Sequence, residues 1–129
     1  MKIKTALILC AGFGKRVQPI TDNLPKPLII YKNETLLENT INFLVKINIK
    51  KIKINVFYLK EKIIDFIKNK NFPVQIEIVD DGETILGTGG GTLNLINKSD
   101  EDDVLVINPD TIWDYSYIES INSMEKIYF

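Results

Sequence analysis

The order of apolar and polar residues along the chain predicts strands that alternate with helices. Residues 5–10 form a mostly apolar run that stops at a glycine loop, a pattern typical of a strand buried in a parallel sheet. Residues 51–57 and 74–79 alternate apolar and polar side chains and predict two more strands. Residues 104–108 form a final apolar strand, so the pattern predicts four strands in this order.

Apolar residues at three- and four-residue spacing predict the helices. Amphipathic helices are expected over residues 35–48 and 60–70, and helical patterns also occur over residues 92–97 and from residue 114 onward. Alternating strands and helices indicate an α/β fold with a parallel sheet and right-handed crossovers. Ligands of such sheets bind at the carboxyl ends of the strands. Functional residues are therefore expected in the loops after the first and last strands.

Composition narrows the classes of function. The 129 residues suffice for one core, and the chain is 45% hydrophobic and 26% charged with a net charge of -1. This balance excludes a disordered polyelectrolyte and gives no general attraction to nucleic acid. Without histidine, the chain offers no His-based catalysis or His-metal site. A single cysteine, Cys10, excludes an internal disulfide and indicates a reducing cytoplasm. The first apolar run is too short for a membrane span.

The loop after the first strand carries the strongest chemical signal. Gly12 and Gly14 let main-chain N–H groups approach an anion, and Lys15, Arg16 and Lys26 can neutralise its charge. A glycine pair after a strand also forms ordinary tight turns, so the pair alone decides little. The spacing completes neither a dinucleotide-binding fingerprint nor a P-loop. A different anion-binding loop is therefore indicated.

A second glycine-rich segment lies at residues 83–96. Its three consecutive glycines, residues 89–91, allow the main chain to approach a flat ligand or leave the N-terminus of the following helix accessible. The alternative is a flexible turn without a ligand.

Asp110 directly follows the last predicted strand. A carboxylate in this place can hold Mg²⁺, which prefers oxygen ligands and bridges phosphates. An aspartate after a strand is also a common helix cap or turn former, so the position alone leaves both roles open. The acidic run at residues 100–103 is interpreted as a solvated loop.

These segments resemble conserved blocks of the sugar-1-phosphate nucleotidylyltransferases. The first is similar to the family signature L-x-A-G-x-G-x-R-x-x-P-x-T-x-x-x-P-K-P, and the glycine-rich segment to its E-x-x-L-G-T-[AG]-G-G block. The family often has N-G-D or N-S-D followed by Trp where this chain has Asn108, Pro109, Asp110 and Trp113. The residues that match the first signature are Leu9, Ala11, Gly12, Gly14, Arg16, Pro19, Thr21, Pro25, Lys26 and Pro27.

The resemblance implies a role for each matching position. Arg16, together with Gly14, would grip the triphosphate, Lys26 would reach the α-phosphate or the sugar phosphate, and Asp110 would hold Mg²⁺. These three charged residues form the expected catalytic set. Cys10 stands where the family commonly has Ala, so we interpret its thiol as a packed side chain. The residues expected to bind the nucleotide are Leu9, Ala11, Gly12, Gly14, Lys15, Glu83, Thr88 and Gly89.

The family fold implied by the resemblance is α/β, a Rossmann-like three-layer sandwich with a mainly parallel sheet, of the nucleotide-diphospho-sugar transferase type. Residues 1–129 would be a single nucleotidyltransferase-like domain, the N-terminal portion of a longer family domain and thus truncated. Within the family, the blocks look most like those of the N-acetylmuramate-1-phosphate uridylyltransferases and mannose-1-phosphate guanylyltransferases.

The reaction implied by the resemblance joins a nucleoside triphosphate to a sugar 1-phosphate and releases pyrophosphate. UTP or GTP is favoured as the triphosphate, Mg²⁺ is the expected cofactor, and neither nucleic acid nor a membrane is an expected partner. A homo-oligomer is compatible with the resemblance. The alternative is a truncated or degenerate domain that binds a nucleotide without turnover on its own, because the family's second metal-binding Asp and its sugar site are absent from these 129 residues.

Overall fold

Four parallel strands form the central sheet. The computed structural model describes residues 3–11, 19–80 and 103–113, with Thr21 described by its main chain alone. The strands and helices in chain order are β1 (Thr5–Leu9), β2 (Ile30–Tyr31), β3 (Glu34–Thr35), α1 (Leu36–Lys46), β4 (Lys51–Val56), α2 (Lys60–Asn69), β5 (Gln75–Asp80) and β6 (Leu105–Ile107). The sheet has the order β5-β4-β1-β6, and each of these neighbouring pairs is parallel.

The direction in which strands are added to the sheet reverses at β1. From β1 the chain adds β4 and then β5 on one side, whereas β6 pairs with the opposite side of β1. The register of this last pair is Ala6 with Leu105 and Ile8 with Ile107, so the carboxyl ends of β1 and β6 are neighbours. Ligands of open α/β sheets bind in the crevice at such a reversal. The topology therefore singles out the loops after β1 and β6.

Both described helices pack on the same face of the sheet. Leu37, Ile41 and Leu44 from α1 and Ile63 from α2 are fully buried there. They share a cluster with alternate residues of the strands, including Ile8 of β1, because side chains of a strand alternate between its two faces. The opposite face carries a smaller cluster formed by Leu7, Leu9, Val79, Val104 and Val106.

Helix α1 has defined caps at both ends. The Thr35 hydroxyl accepts a hydrogen bond from the main-chain N–H of Glu38 at 2.9 Å, which satisfies one of the free donors of the first turn. At the other end Asn48 is left-handed, with φ 68°, and its N–H donates to Val45 O at 3.1 Å. The N–H of Ile49 donates to the main chain of the last turn, completing a Schellman motif.

The predicted strands and helices within the described residues are confirmed, with ends that differ by at most two residues. The parallel α/β architecture is also confirmed. Two 3-10 turns, Ile20–Asp22 and Lys26–Leu28, and the short β2–β3 hairpin were not predicted, because they are too brief to show a period. The helical patterns at 92–97 and after 113 lie outside the described residues. None of the helices described is long and apolar enough to cross a membrane.

Candidate functional site

The side chains of Lys26 and Asp110 meet at the carboxyl edge of the sheet. They are 84 positions apart in sequence, and Lys26 Nζ lies 3.4 Å from Asp110 Oδ2. The two side chains are 34% and 45% exposed, so solvent or a ligand can reach both charges. An ion pair as exposed as this one contributes only about 0–1 kcal/mol to stability. The ion pair therefore matters because it places a cation and a carboxylate side by side, and its contribution to stability is small.

Lys26 is held by prolines on both sides. Pro25 and Pro27 are buried, and the pyrrolidine ring restricts φ at each of them. The 3-10 turn is closed by hydrogen bonds from Leu28 N to Pro25 O at 2.9 Å and from Ile29 N to Lys26 O at 3.1 Å. Leu28 is buried in the main core, which fixes the turn to the body of the domain. The ammonium group thus projects from a restrained main chain.

The segment before this turn is attached to the start of α2. The hydroxyl of Tyr58 donates to Asp22 O at 3.3 Å, and Lys62 Nζ donates to Asn23 O. These contacts connect the proline-containing segment to the second helix of the same sheet face. They restrain the conformation of the segment that leads to Lys26.

Asp110 lies on the loop that leaves β6. The loop begins after Ile107, which pairs with β1, and Pro109 next to Asp110 is buried. Three residues further on, the ring of Trp113 stacks on Phe43 of α1, with ring centroids 5.4 Å apart and an interplanar angle of 26°. Asp110 thus lies on a short loop that is attached at one end by strand pairing and at the other end by an aromatic contact.

The end of β1 is fixed by a buried amide. The N–H of Cys10 donates to Asn55 Oδ1 at 2.8 Å, and Asn55 is only 2% exposed in the neighbouring strand β4. Because β1 ends at Leu9, this bond satisfies a main-chain donor just beyond the sheet. It sets the direction in which the chain runs from Leu9 to Ala11, toward the glycine loop.

Cys10 itself is a packed side chain. It is 2% exposed, and burial raises the pKa of its thiol above the ordinary value because the charged thiolate would lose its hydration. The thiolate is the nucleophilic form, so a thiol held neutral in this way is inert. The structure agrees with the interpretation of Cys10 as a packed thiol.

A match to a known family decides the identity of the fold around this site. Residues 5–127 match the family model described as Nucleotidyl transferase, which is most of the chain. The chain belongs to the nucleotidyl transferase family. The predicted membership is thereby confirmed.

Relatives of this nucleotidyl transferase agree with the assignment. Bifunctional protein GlmU from Methanocaldococcus jannaschii is 39% identical over 109 residues, which cover 84% of this chain and 25% of that protein. N-acetylmuramate alpha-1-phosphate uridylyltransferase from Caulobacter vibrioides is 30% identical over 113 residues, covering 85% of this chain and 47% of that protein. The chain thus spans between a quarter and a half of the length of these two relatives.

A solved structure shows the same fold. The crystal structure of HddC from Yersinia pseudotuberculosis complexed with GMP-PN superposes with a TM-score of 0.79 and 27% sequence identity. The match covers 94% of this chain and 54% of the HddC chain. The predicted α/β fold type is confirmed by this likeness and by the parallel sheet.

Most of the remaining predicted site residues lie outside the described part of this nucleotidyl transferase. The structure describes Leu9 and Ala11 at the end of β1, and it brings Lys26 to Asp110. The contacts proposed for the other positions stay predictions. The predicted site residues outside the described ranges are Gly12, Gly14, Lys15, Arg16, Glu83, Thr88 and Gly89.

The donor set at Asp110 fits the chemistry of Mg²⁺. A half-exposed carboxylate is the hard oxygen ligand that this ion prefers, and nucleotide enzymes commonly hold it with one or two carboxylates, phosphate oxygens and waters. Across residues 3–11, 19–80 and 103–113, His, Cys, Asp and Glu side chains form no group of three or more that could hold a metal ion.

Two asparagines of this nucleotidyl transferase were missed by the sequence analysis. Asn55 supports the end of β1, and Asn39 of α1 hydrogen-bonds to the main chain of Trp113. Asn55 gave little signal in the sequence, since it occupies a polar position of the alternating pattern over residues 51–57. Asn39 had none, because an asparagine in an amphipathic helix is unremarkable without knowledge of its distant partner.

Proposed function

We propose that this nucleotidyl transferase domain binds a nucleoside triphosphate with Mg²⁺ and transfers its nucleotidyl group to a sugar 1-phosphate. The observation that carries the proposal is the approach of Lys26 Nζ to within 3.4 Å of Asp110 Oδ2 at the carboxyl edge of the sheet. This edge adjoins the point where the strand order reverses, and ligands of α/β sheets bind there. A cation and a metal-binding carboxylate side by side suit a substrate with several phosphates.

In the proposed reaction an oxygen of the sugar 1-phosphate attacks the α-phosphorus in line, and the bond from that phosphorus to the pyrophosphate oxygen breaks. Pyrophosphate leaves with the electron pair of that bond. A phosphate nucleophile is already ionised at neutral pH, so the step needs no general base. Most of the catalysis in such transfers comes from positioning and from neutralising charge. This suits a chain without histidine.

The charged residues have distinct proposed roles. Lys26 donates hydrogen bonds to the α-phosphate or the sugar phosphate and neutralises charge that builds up there. Asp110 holds Mg²⁺, which when bound shields the phosphates from one another and polarises them. Arg16 and Lys15 of the signature loop bind the triphosphate, with Gly12 and Gly14 allowing close approach of main-chain N–H groups.

Recognition of the base and ribose is assigned to main-chain and polar positions. We propose that Leu9 and Ala11 present main-chain groups at the end of β1, where the Asn55 bond to Cys10 fixes the direction of the chain. The second glycine-rich segment completes this part of the site through Glu83, Thr88 and Gly89. UTP and GTP are the favoured nucleotides, because one relative is named a uridylyltransferase and the HddC structure contains GMP-PN.

The proposal includes the setting in which the domain works. A reducing cytoplasm is supported by the single cysteine and its burial, since one cysteine cannot form an internal disulfide. The other partner is a sugar 1-phosphate, and a homo-oligomer is compatible with the fold.

Isothermal titration calorimetry tests nucleotide binding. The chain should bind UTP or GTP in the presence of Mg²⁺, and Arg16→Ala should weaken that binding roughly ten- to a hundredfold, since a charge-assisted hydrogen bond to phosphate is lost. Lys68→Ala on the exposed face of α2 removes one positive charge elsewhere and is the matched control. Equal affinity of Arg16→Ala and the wild type would remove Arg16 from the triphosphate site.

A second candidate function is nucleotide binding without turnover by these residues alone. It is favoured by the coverage of the relatives, of which this chain spans 25% in one case and 47% in the other. Pyrophosphate release separates the two candidates when the chain is incubated with Mg²⁺, each common nucleoside triphosphate and a panel of sugar 1-phosphates. We expect no turnover near that of a full-length relative. Robust release with any pair would establish that these 129 residues hold a complete site.

A further inference from the structure

We propose that Asn39 is a positioning residue that holds the Asp110 loop in the geometry required for Mg²⁺ and nucleotide. The inference rests on the proposed role of Asp110 as the metal-binding carboxylate. Asn39 lies on α1, and the loop follows β6, so the contact joins two elements that are 74 positions apart. It deepens the proposed function by assigning a role to a side chain that acts through the main chain of Trp113.

The Asn39 side chain binds both main-chain groups of one residue. The N–H of Trp113 donates to Asn39 Oδ1 at 2.8 Å, and Asn39 Nδ2 donates to Trp113 O at 3.2 Å. The planar amide thus pairs with Trp113 much as a neighbouring strand would. Two bonds to one residue restrain its orientation as well as its distance from the helix.

Asparagine is suited to this contact because its amide carries a donor and an acceptor. Leucine, of similar size, would offer neither, and aspartate would offer acceptors alone. The orientation of the amide is fixed by a third bond, in which Asn39 Nδ2 donates to Glu34 Oε1 at 3.0 Å. A carboxylate accepts hydrogen bonds, so Glu34 selects the orientation in which Oδ1 faces the N–H of Trp113.

Asp110 lies midway between two attachments of its loop. On one side Ile107, the last residue of β6, pairs with Ile8 of β1. On the other side Trp113 is bound by Asn39 and stacked on Phe43. Asp110 is three positions from each attachment, so a change at Trp113 reaches the carboxylate through a short stretch of chain.

Helix α1 is a rigid base for the second attachment. Asn39 and Phe43 are four residues apart and thus share one side of the helix. Phe43 is 3% exposed and belongs to the main core, so the side of α1 that receives the loop is continuous with the core of the domain. The Asp110 loop is therefore attached to the same core that buries part of the turn carrying Lys26.

Loss of this attachment should impair the site more than it unfolds the chain. Groups that orient a metal ligand typically affect metal affinity by about 10- to 100-fold when they are removed. Misplacement by about 1 Å can cost on the order of a hundredfold in the rate of a transfer reaction. Asn39→Ala keeps the Asp110 carboxylate but removes the two bonds that hold the main chain of Trp113, and with it the loop that orients the carboxylate.

The experiment compares Asn39→Ala with a matched control. Asn42→Ala makes the same change one turn further along α1, at a half-buried asparagine. Proton–nitrogen correlation NMR spectra report the conformation of the loop through two signals, the Asp110 main-chain amide and the indole N–H of Trp113. Trp113 is the single tryptophan of the chain, so its indole signal is easily assigned. Calorimetry with MgUTP and MgGTP reports the site, and circular dichroism melting reports the fold.

We expect Asn39→Ala to shift the Asp110 amide and Trp113 indole signals and to weaken Mg²⁺-dependent nucleotide binding about tenfold, while Asn42→Ala does neither. In the Asp110→Asn background the Asn39→Ala change should lose its effect on binding, because it acts through the carboxylate. The proposal is overturned if Asn39→Ala leaves either the Asp110 signal or nucleotide binding unchanged, or if its effect persists fully in Asp110→Asn. Absence of nucleotide binding by the wild type would instead overturn the proposed function, and the inference with it.

Discussion

At the level of single residues, burial controls the chemistry of Cys10. Its thiol is 2% exposed, and burial raises its pKa in the folded chain. In the unfolded chain the same thiol ionises near pH ~8.5. Above that pH the folded chain retains a proton that the unfolded chain has lost, so the thiol favours unfolding as the pH rises further.

The stability of the fold should therefore depend on pH through Cys10. The effect is absent below pH ~8.5, and above it the free energy of unfolding should fall by about 1.4 kcal/mol per pH unit on account of this group. Urea denaturation of the wild type and Cys10→Ala at pH 7 and pH 9.5 isolates the contribution. The wild type should lose more stability than the variant over this interval. An equal loss in both proteins would show that the thiol ionises as readily in the folded chain.

The resemblance, and not the local pattern, predicted Lys26 and Asp110 as site residues, and nothing in the sequence predicted the side chains that hold them. The structure adds that Lys26 Nζ and Asp110 Oδ2 lie 3.4 Å apart. The bonds made by Asn55 and Asn39 join positions 45 and 74 apart, respectively. Such partners are determined by strand order and helix packing, which no local period encodes.

At the level of elements, periodicity was a good guide to the long ones. Helix α1 occupies Leu36–Lys46 within the expected 35–48, because its apolar face matches the helical repeat. The β2–β3 hairpin was not predicted, since its strands have two residues each and Ile30 and Tyr31 are exposed. Its turn contains Lys32 and Asn33 at positive φ, a conformation that asparagine adopts more readily than lysine does.

The N-cap of α1 provides a test at this level. Thr35→Ala removes the acceptor that bonds Glu38 N–H at 2.9 Å and should lower the free energy of unfolding by about 1 kcal/mol. Thr35→Ser keeps a hydroxyl at the same place and serves as the control. Urea denaturation at neutral pH measures both variants. If alanine and serine are equally stable at this position, the cap contributes nothing to the helix.

At the level of the whole molecule, topology accounts for the location of the site. Strand order β5-β4-β1-β6 makes the ends of β1 and β6 neighbours, and the loops that leave them carry the signature and Asp110. The order could be anticipated only through the resemblance, because strand periodicity does not say which strands pair. The chain spans 25% of the GlmU relative and 54% of the HddC chain.

The edge of the sheet that carries Lys26 and Asp110 is proposed to bind a nucleoside triphosphate through Mg²⁺. The most direct test is the dependence of nucleotide affinity on Mg²⁺ concentration, measured by calorimetry for the wild type, Asp110→Asn and Asp103→Asn. Asp110→Asn keeps the shape of the side chain but removes the charge that the ion requires. Asp103 is an exposed carboxylate before the amino end of β6. Asp103→Asn is the control because it removes the same charge at a different position. We expect Mg²⁺ to strengthen binding to the wild type and to Asp103→Asn, and to have no effect on Asp110→Asn, which stays folded. Undiminished Mg²⁺ dependence in folded Asp110→Asn would rule out metal binding by Asp110 and leave it as a turn residue.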